Sequence, residues 1–172
     1  MTIKFLSILS LVIVLFSCKK NEEHSTLDVE KSKESEEITA KDISKIRYTD
    51  YILDSRTEDV AVNWVEYNQL QDVITKVRKG DLSFFNDNKK EIKELLNNLK
   101  QNIPNQVNTA AILARIAAFE TKLYKLESLS NLATTTKPEL ISVIKEFFVA
   151  FSNLNLQMNK KLEADTIIIE KP

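Results

Sequence analysis

One glycine and three prolines in 172 residues leave this chain few ways to turn its backbone sharply. Ordinary usage is about 7% Gly and about 5% Pro, and strand-rich folds need turn residues at regular spacing. The scarcity points to an all-α fold, and apolar residues repeat at helical period through most of the chain.

The repeat divides into four stripes, predicting helices over about 57–79, 83–102, 105–132 and 138–163. Val60, Trp64, Tyr67, Leu70, Ile74 and Val77 form the first, with Gly80 suited to the left-handed position just past its end. Asp81 or Ser83 can cap the second, whose stripe is Phe85, Ile92, Leu95, Leu96 and Leu99, stopped ahead of Pro104. The third carries Ile112, Ile116, Phe119, Leu123 and Leu126. Pro138 sits well as the first residue of the fourth, the most apolar: Ile141, Ile144, Phe147, Phe148, Phe151, Leu154, Met158 and Leu162. Short connections favour antiparallel neighbours, hence an up-down-up-down four-helix bundle. That topology brings the start of the first helix and the end of the fourth to one end of the bundle. The N-terminal tether and the C-terminal "DTIIIEKP" are then expected as neighbours.

Two segments exceed the plain bundle. Residues 42–55 carry Ile43, Ile46, Tyr48, Tyr51, Ile52 and Leu53, enough apolar surface to need cover, and Thr166–Glu170 has strand propensity. They pair as a small antiparallel ribbon at the bundle base, or the first is a short helix lying across it. The third helix offers a seat at Ala110, Ala114, Ala117 and Ala118; the plainer reading makes these alanines exposed helix formers.

Ahead of the bundle, Lys4 precedes the apolar run Phe5–Ser17, shorter than the roughly 18 residues a membrane span needs and suited to a secretory signal. It ends in Leu15-Phe16-Ser17-Cys18, which resembles the lipobox of bacterial lipoproteins, with Phe16 standing where a small or β-branched residue is usual. The resemblance implies cleavage before Cys18, removing residues 1–17, and acylation of the new N-terminus. One acyl chain holds a protein only marginally, at about 0.8 kcal/mol per buried CH₂; several make Cys18 a permanent tether. Residues 18–41 then form a charged linker with few apolar side chains, expected to be disordered and to span on the order of 25–30 Å. "CKKNEE" resembles the export signal of Bacteroidota-type surface lipoproteins. The implied address is the cell envelope, attached to the outer membrane by lipid, on its surface or its periplasmic side. Asp165-Thr166-Ile167 resembles the acceptor motif of protein O-glycosylation in Bacteroidota, with Thr166 carrying the sugar.

Most chemistry lacks its parts. The single cysteine has no partner histidine in the bundle, since the one histidine is His24; nucleophilic thiol chemistry, zinc, di-iron and His-ligated haem are thereby disfavoured. Removing residues 1–17 lowers the basic count from 24 to 23 against 25 acids, a balance that argues against nucleic-acid binding. Ser142-Val143-Ile144-Lys145 matches the S-x-x-K of penicillin-binding enzymes, but their S-D-N and K-T-G elements are missing. Ser142 is expected on a helix flank with Lys145 in solvent. Glu91 and Glu94 share a face without further ligands. Arg115 is expected to cover apolar surface with its stem while its head reaches water, or to pair with Glu66 or Glu94. Trp64, Tyr67, Tyr48 and Tyr51 are a candidate aromatic patch, although Trp64 falls on the core stripe. No catalytic residue, cofactor or metal is expected. The functional expectation is a non-enzymatic, membrane-tethered helical bundle that binds or scaffolds another protein. The alternative is a carrier with an apolar pocket between helices.

Overall fold

The computed structural model describes residues 37–167, and this region is all-helical, with no strand among the described residues. Six α-helices follow in order: α1 (Ala40–Ile43), α2 (Ser55–Ala61), α3 (Val65–Arg78), α4 (Lys89–Gln101), α5 (Ala110–Ser130) and α6 (Lys137–Asp165). Short 3₁₀ turns at Ser83–Phe85 and Asn105–Val107 precede α4 and α5. None of the described helices is long and apolar enough to cross a membrane.

The four stripes lie where helical period places them. Trp64, Tyr67, Leu70, Ile74 and Val77 are buried, as are Phe85, Ile92, Leu96 and Leu99, and the five residues of the α5 stripe. On α6, Ile144 through Leu162 of the stripe are buried, while Ile141, like Leu95 and Val60, packs half-covered at the margin. Rings form the middle of the core: Phe147 meets Phe119 at 5.2 Å and Phe85 edge-on at 6.0 Å, and Phe151 meets Phe119 at 5.5 Å and stacks on Tyr67 at 5.6 Å. Such contacts are worth about 0.5–1.5 kcal/mol each beyond the area they bury.

Helix ends differ from the expected ones for local reasons. The first stripe is split: Val62 and Asn63 interrupt it, and Trp64 (φ −88°, ψ 88°) leaves helical geometry while its ring enters the core and stacks on Tyr67. The Val62 carbonyl freed by the break accepts the Asn68 side-chain amide at 2.9 Å. Asp81 caps the 3₁₀ turn through Ser83 N–H, so α4 begins only at Lys89. On α5, Thr109 is the N-cap, accepting from Ile112 N–H. At α6, the Thr136 amide and hydroxyl both donate to Glu139, the helix opens at Lys137, and Pro138 is its second residue. Proline is harmless there because amides in the first turn have no intrahelical acceptor.

Gly80 lies at φ +82° after α3, with its N–H bonded to Val77 C=O and Asp81 N–H to Lys76 C=O, the paired bonds of a Schellman end. A Cβ there would stand 2.9 Å from Ala40 N and from Thr39 C. The backbone entering α1 thus lies directly against this glycine. In α1, Asp42 accepts from the Thr39 N–H and hydroxyl and pairs with Lys137 at 2.8 Å, fastening the start of the described chain to the N-terminus of α6.

The expected ribbon or crossing helix at residues 42–55 is corrected by the structure. Beyond the four-residue α1 and a turn, residues 46–54 form a strap along the side of α6. Strap residues 48–54 meet α6 residues 148–159. Eleven helical residues span about 16 Å, and six chain residues reach at most about 20 Å, so the strap is nearly extended. A second correction follows. The start of α2 does meet the end of α6, since Arg56 Nη1 donates to Leu162 C=O at 3.0 Å and to Thr166 Oγ1 at 3.2 Å. The strap, however, carries the preceding chain back down α6, so Thr39–Ile43 and Thr166 lie at opposite ends of a 29-residue helix, about 43 Å apart. Ile168–Glu170 of the expected ribbon lie outside the described residues.

Candidate functional site

The strap is held by a ladder of polar side chains on the core-facing side of α6. Ser152 Oγ donates to Thr49 C=O at 2.8 Å and accepts from Tyr51 N–H at 2.7 Å. Asn155 Nδ2 donates to Tyr51 C=O at 2.9 Å. Asn159 Nδ2 donates to Ile52 C=O at 2.8 Å and its Oδ1 accepts from Asp54 N–H at 3.2 Å. Positions 152, 155 and 159 follow the helical i, i+3, i+7 spacing, one stripe on one face. These side chains act as a neighbouring strand would, answering backbone groups that burial would otherwise leave unpaired. Asn155 is itself buried, and its Oδ1 accepts from the buried Tyr67 hydroxyl at 2.8 Å. Burial pushes the Tyr67 hydroxyl pKa well up, so it stays a donor at any physiological pH.

The lower strap is tied to α3 as well. Arg78 Nη2 meets Asp50 Oδ2 at 2.7 Å and its guanidinium lies 5.6 Å from the Phe148 ring centre, on which Tyr48 also stacks. Burial raises the Tyr48 hydroxyl pKa, Arg78 opposing. At the upper end, the Thr57 N–H donates to Asp54 Oδ1 at 2.8 Å; this bond holds the Asp54 carboxyl below its ordinary pKa and starts α2.

Between the strap and α3 runs an open groove of about 550 Å³, lined by Asp50, Tyr51, Ile52 and Leu53 on one side, by Glu58, and by Gln71, Asp72, Thr75 and Arg78 on the other. Ile74, Phe151 and Asn155 also line it. Ile52 is 75% exposed and Tyr51 38%, adjacent members of the seven large apolar side chains exposed among the described residues. Both Tyr51 backbone groups turn toward α6. Across a planar trans peptide the C=O and the following N–H point in opposite directions, so the Asp50 C=O, opposite the Tyr51 N–H, and the Ile52 N–H, opposite the Tyr51 C=O, face away from Ser152 and Asn155. They have no hydrogen-bond partner among the described residues. Arg78 is engaged with Asp50, whereas Glu58 and Asp72 have no ion-pair partner among the described residues.

The other candidate residues are dispersed. Trp64 and Tyr67 are buried in the core, Tyr48 is half-buried, and Tyr51 alone of that patch is exposed. Ser142 and Lys145 both face solvent on α6. Glu91 and Glu94 line a shallow groove with Glu66, Gln69 and Asn98, and no group of acids among the described residues is placed to hold a metal ion. Glu66 accepts from Asn102 Nδ2 rather than from Arg115. Arg115 is exposed, beside Ala118, Lys122 and Val149 in a groove of about 210 Å³. Ala110, Ala114, Ala117 and Ala118 face solvent, not a strand or helix. Thr166 is the exposed C-cap of α6, donating to Glu163 C=O at 2.7 Å while accepting from Arg56. Cys18 and the segment around it lie outside the described residues.

Comparison with protein-family models, with curated proteins and with solved structures finds no match to this chain.

Proposed function

We propose that this chain is a non-enzymatic cell-envelope lipoprotein, anchored at the outer membrane through acylated Cys18, whose helical bundle binds another protein. The bundle is α3 to α6 in up-down-up-down order. Antiparallel pairing is supported at two interfaces: Tyr67 and Arg78 of α3 face Phe151 and Phe148 of α6 in reversed order, as Phe119 and Lys125 of α5 face Phe151 and Glu146. The single observation that carries the binding role is the strap groove, where exposed Tyr51 and Ile52 adjoin backbone groups without partners. Open shape suits a chain laid along the surface better than an enclosed guest. The carrier reading needs room between helices, and the interlocked rings of Phe85, Phe119, Phe147 and Phe151 occupy that space. Thr166 remains the residue for O-glycosylation, which intact-mass measurement of protein from its native host reports.

The anchor has a direct test. Cys18→Ala should move the protein from the membrane fraction to the soluble fraction while its circular dichroism stays helical. Persistence of the alanine variant on membranes washed in high salt overturns the lipid-anchor reading.

A further inference from the structure

We propose that the strap groove receives an extended, basic peptide segment of a partner protein, which adds as a strand to the free edge of residues 50–52. The inference rests on the protein-binding reading above and names the chemistry of the partner.

Three independent features converge. First, the peptide groups on either side of Tyr51 are satisfied on one side only. α6 answers the Tyr51 N–H and C=O through Ser152 and Asn155, and the Asp50 C=O and Ile52 N–H on the other edge have no partner among the described residues. A lone acceptor and donor two residues apart on one edge are what an incoming strand bonds, main chain to main chain, in peptide recognition by strand addition. Natural proteins usually cover or charge such an edge against unwanted pairing; here the neighbouring side chain is an isoleucine at 75% exposure. Second, the groove has the size for it. About 550 Å³ accommodates a few residues, and α3 stands on the far side as a wall instead of a second paired strand. Third, the charge is one-sided. Glu58 and Asp72 are left over once Arg78 is matched to Asp50, so a Lys or Arg on the incoming segment finds a counter-charge, and an acidic segment is repelled.

The polar ladder explains why the strap can serve as a template. Strand addition needs a rigid, pre-extended edge, because ordering a loose segment at the moment of binding costs affinity. Ser152, Asn155 and Asn159 fix the strap from behind in the free protein.

The test uses the isotope-labelled full chain in detergent and a short capped peptide alternating Lys and Val. Three comparisons accompany it: the Glu-for-Lys peptide, the Lys–Val peptide N-methylated at every residue, and the Glu58→Gln/Asp72→Asn double variant. Saturable shifts at Asp50–Leu53 with slowed exchange of the Ile52 amide are expected from the Lys peptide, and neither from the N-methylated one, which lacks the N–H donors for the Asp50 C=O and whose methyl groups block close approach. The double variant should bind about fivefold more weakly, as expected for two exposed charge contacts of about 0.5 kcal/mol each. Absence of shifts at residues 50–53 up to millimolar peptide overturns the proposal. So does equal binding of the Glu peptide or of the N-methylated peptide. None of these results bears on Cys18, and a partner captured in cells through another face would leave the lipoprotein reading standing while this groove assignment fails.

Discussion

Asn155 joins a buried and a part-buried polar group: its oxygen takes the Tyr67 hydroxyl and its amide supplies the Tyr51 carbonyl. Removing it leaves the Tyr51 carbonyl unpaired and the Tyr67 hydroxyl without its acceptor, with only the Gln71 amide donating to it, and each buried unpaired group costs about 1–3 kcal/mol. Asn155→Ala is therefore expected to lower unfolding free energy by about 2–4 kcal/mol in urea titration, with Tyr67→Phe in the same background adding little because its partner is already gone. Gly80 bears a different constraint, a left-handed backbone with Thr39 and Ala40 against the missing side chain. Gly80→Ala should cost about 1–3 kcal/mol, as forced unfavourable backbone does, read as a drop in melting temperature. Asp42 is the residue for pH. Its bond to Lys137, aided by Thr39, holds the carboxyl far below the ordinary range near 4. Folding thus favours the ionised form, so its stabilisation is complete above the unfolded pKa and fades as pH falls from about 4 toward the depressed folded value. The stability gap between the parent chain and Asp42→Asn should be constant at neutral pH and shrink below about pH 4; a gap that widens on acidification contradicts the ion pair.

The strap is the element that sequence periodicity does not disclose. The apolar surface of Ile43, Ile46, Tyr48 and Leu53 announces that residues 42–55 need cover, but a ribbon or a crossing helix answers that need equally well. What decides is on another element. Ser152, Asn155 and Asn159 interrupt the α6 stripe at i, i+3, i+7, a polar stripe on an apolar face, and that is the signal by which an extended neighbour could have been read. The four main stripes were legible because burial of one helical face leaves a period in the chain, as Ile112 to Leu126 show. The break at Trp64 was not, because the pull of a large ring into the core depends on neighbours distant in sequence. Since the ladder consists of side chains, it can be cut without altering α6 propensity greatly. Ser152→Ala with Asn159→Ala should speed exchange of the Tyr51 and Asp54 amides while the α5 amides keep their protection, measured by hydrogen exchange. Uniform acceleration throughout would mean that the strap and the bundle open as one unit.

Across the whole described fold, the strap decides where the chain that enters it begins. Thr39–Ile43 is fastened beside Gly80 and the N-terminus of α6, while α2 starts at the other end of α6. Pull applied at the start of the described chain falls first on the Asp42–Lys137 clamp, before it reaches the strap and its groove edge. The groove edge of residues 50–52 is proposed to meet a protein partner. This is tested most directly by placing a photo-cross-linking side chain at Ile52, or for comparison at exposed Leu113 on α5, in the full chain in intact cells. A discrete protein adduct is expected from position 52, lost in the Glu58→Gln/Asp72→Asn background, and none from position 113. An adduct from position 113 alone, or one from position 52 indifferent to those two acids, would contradict the proposal.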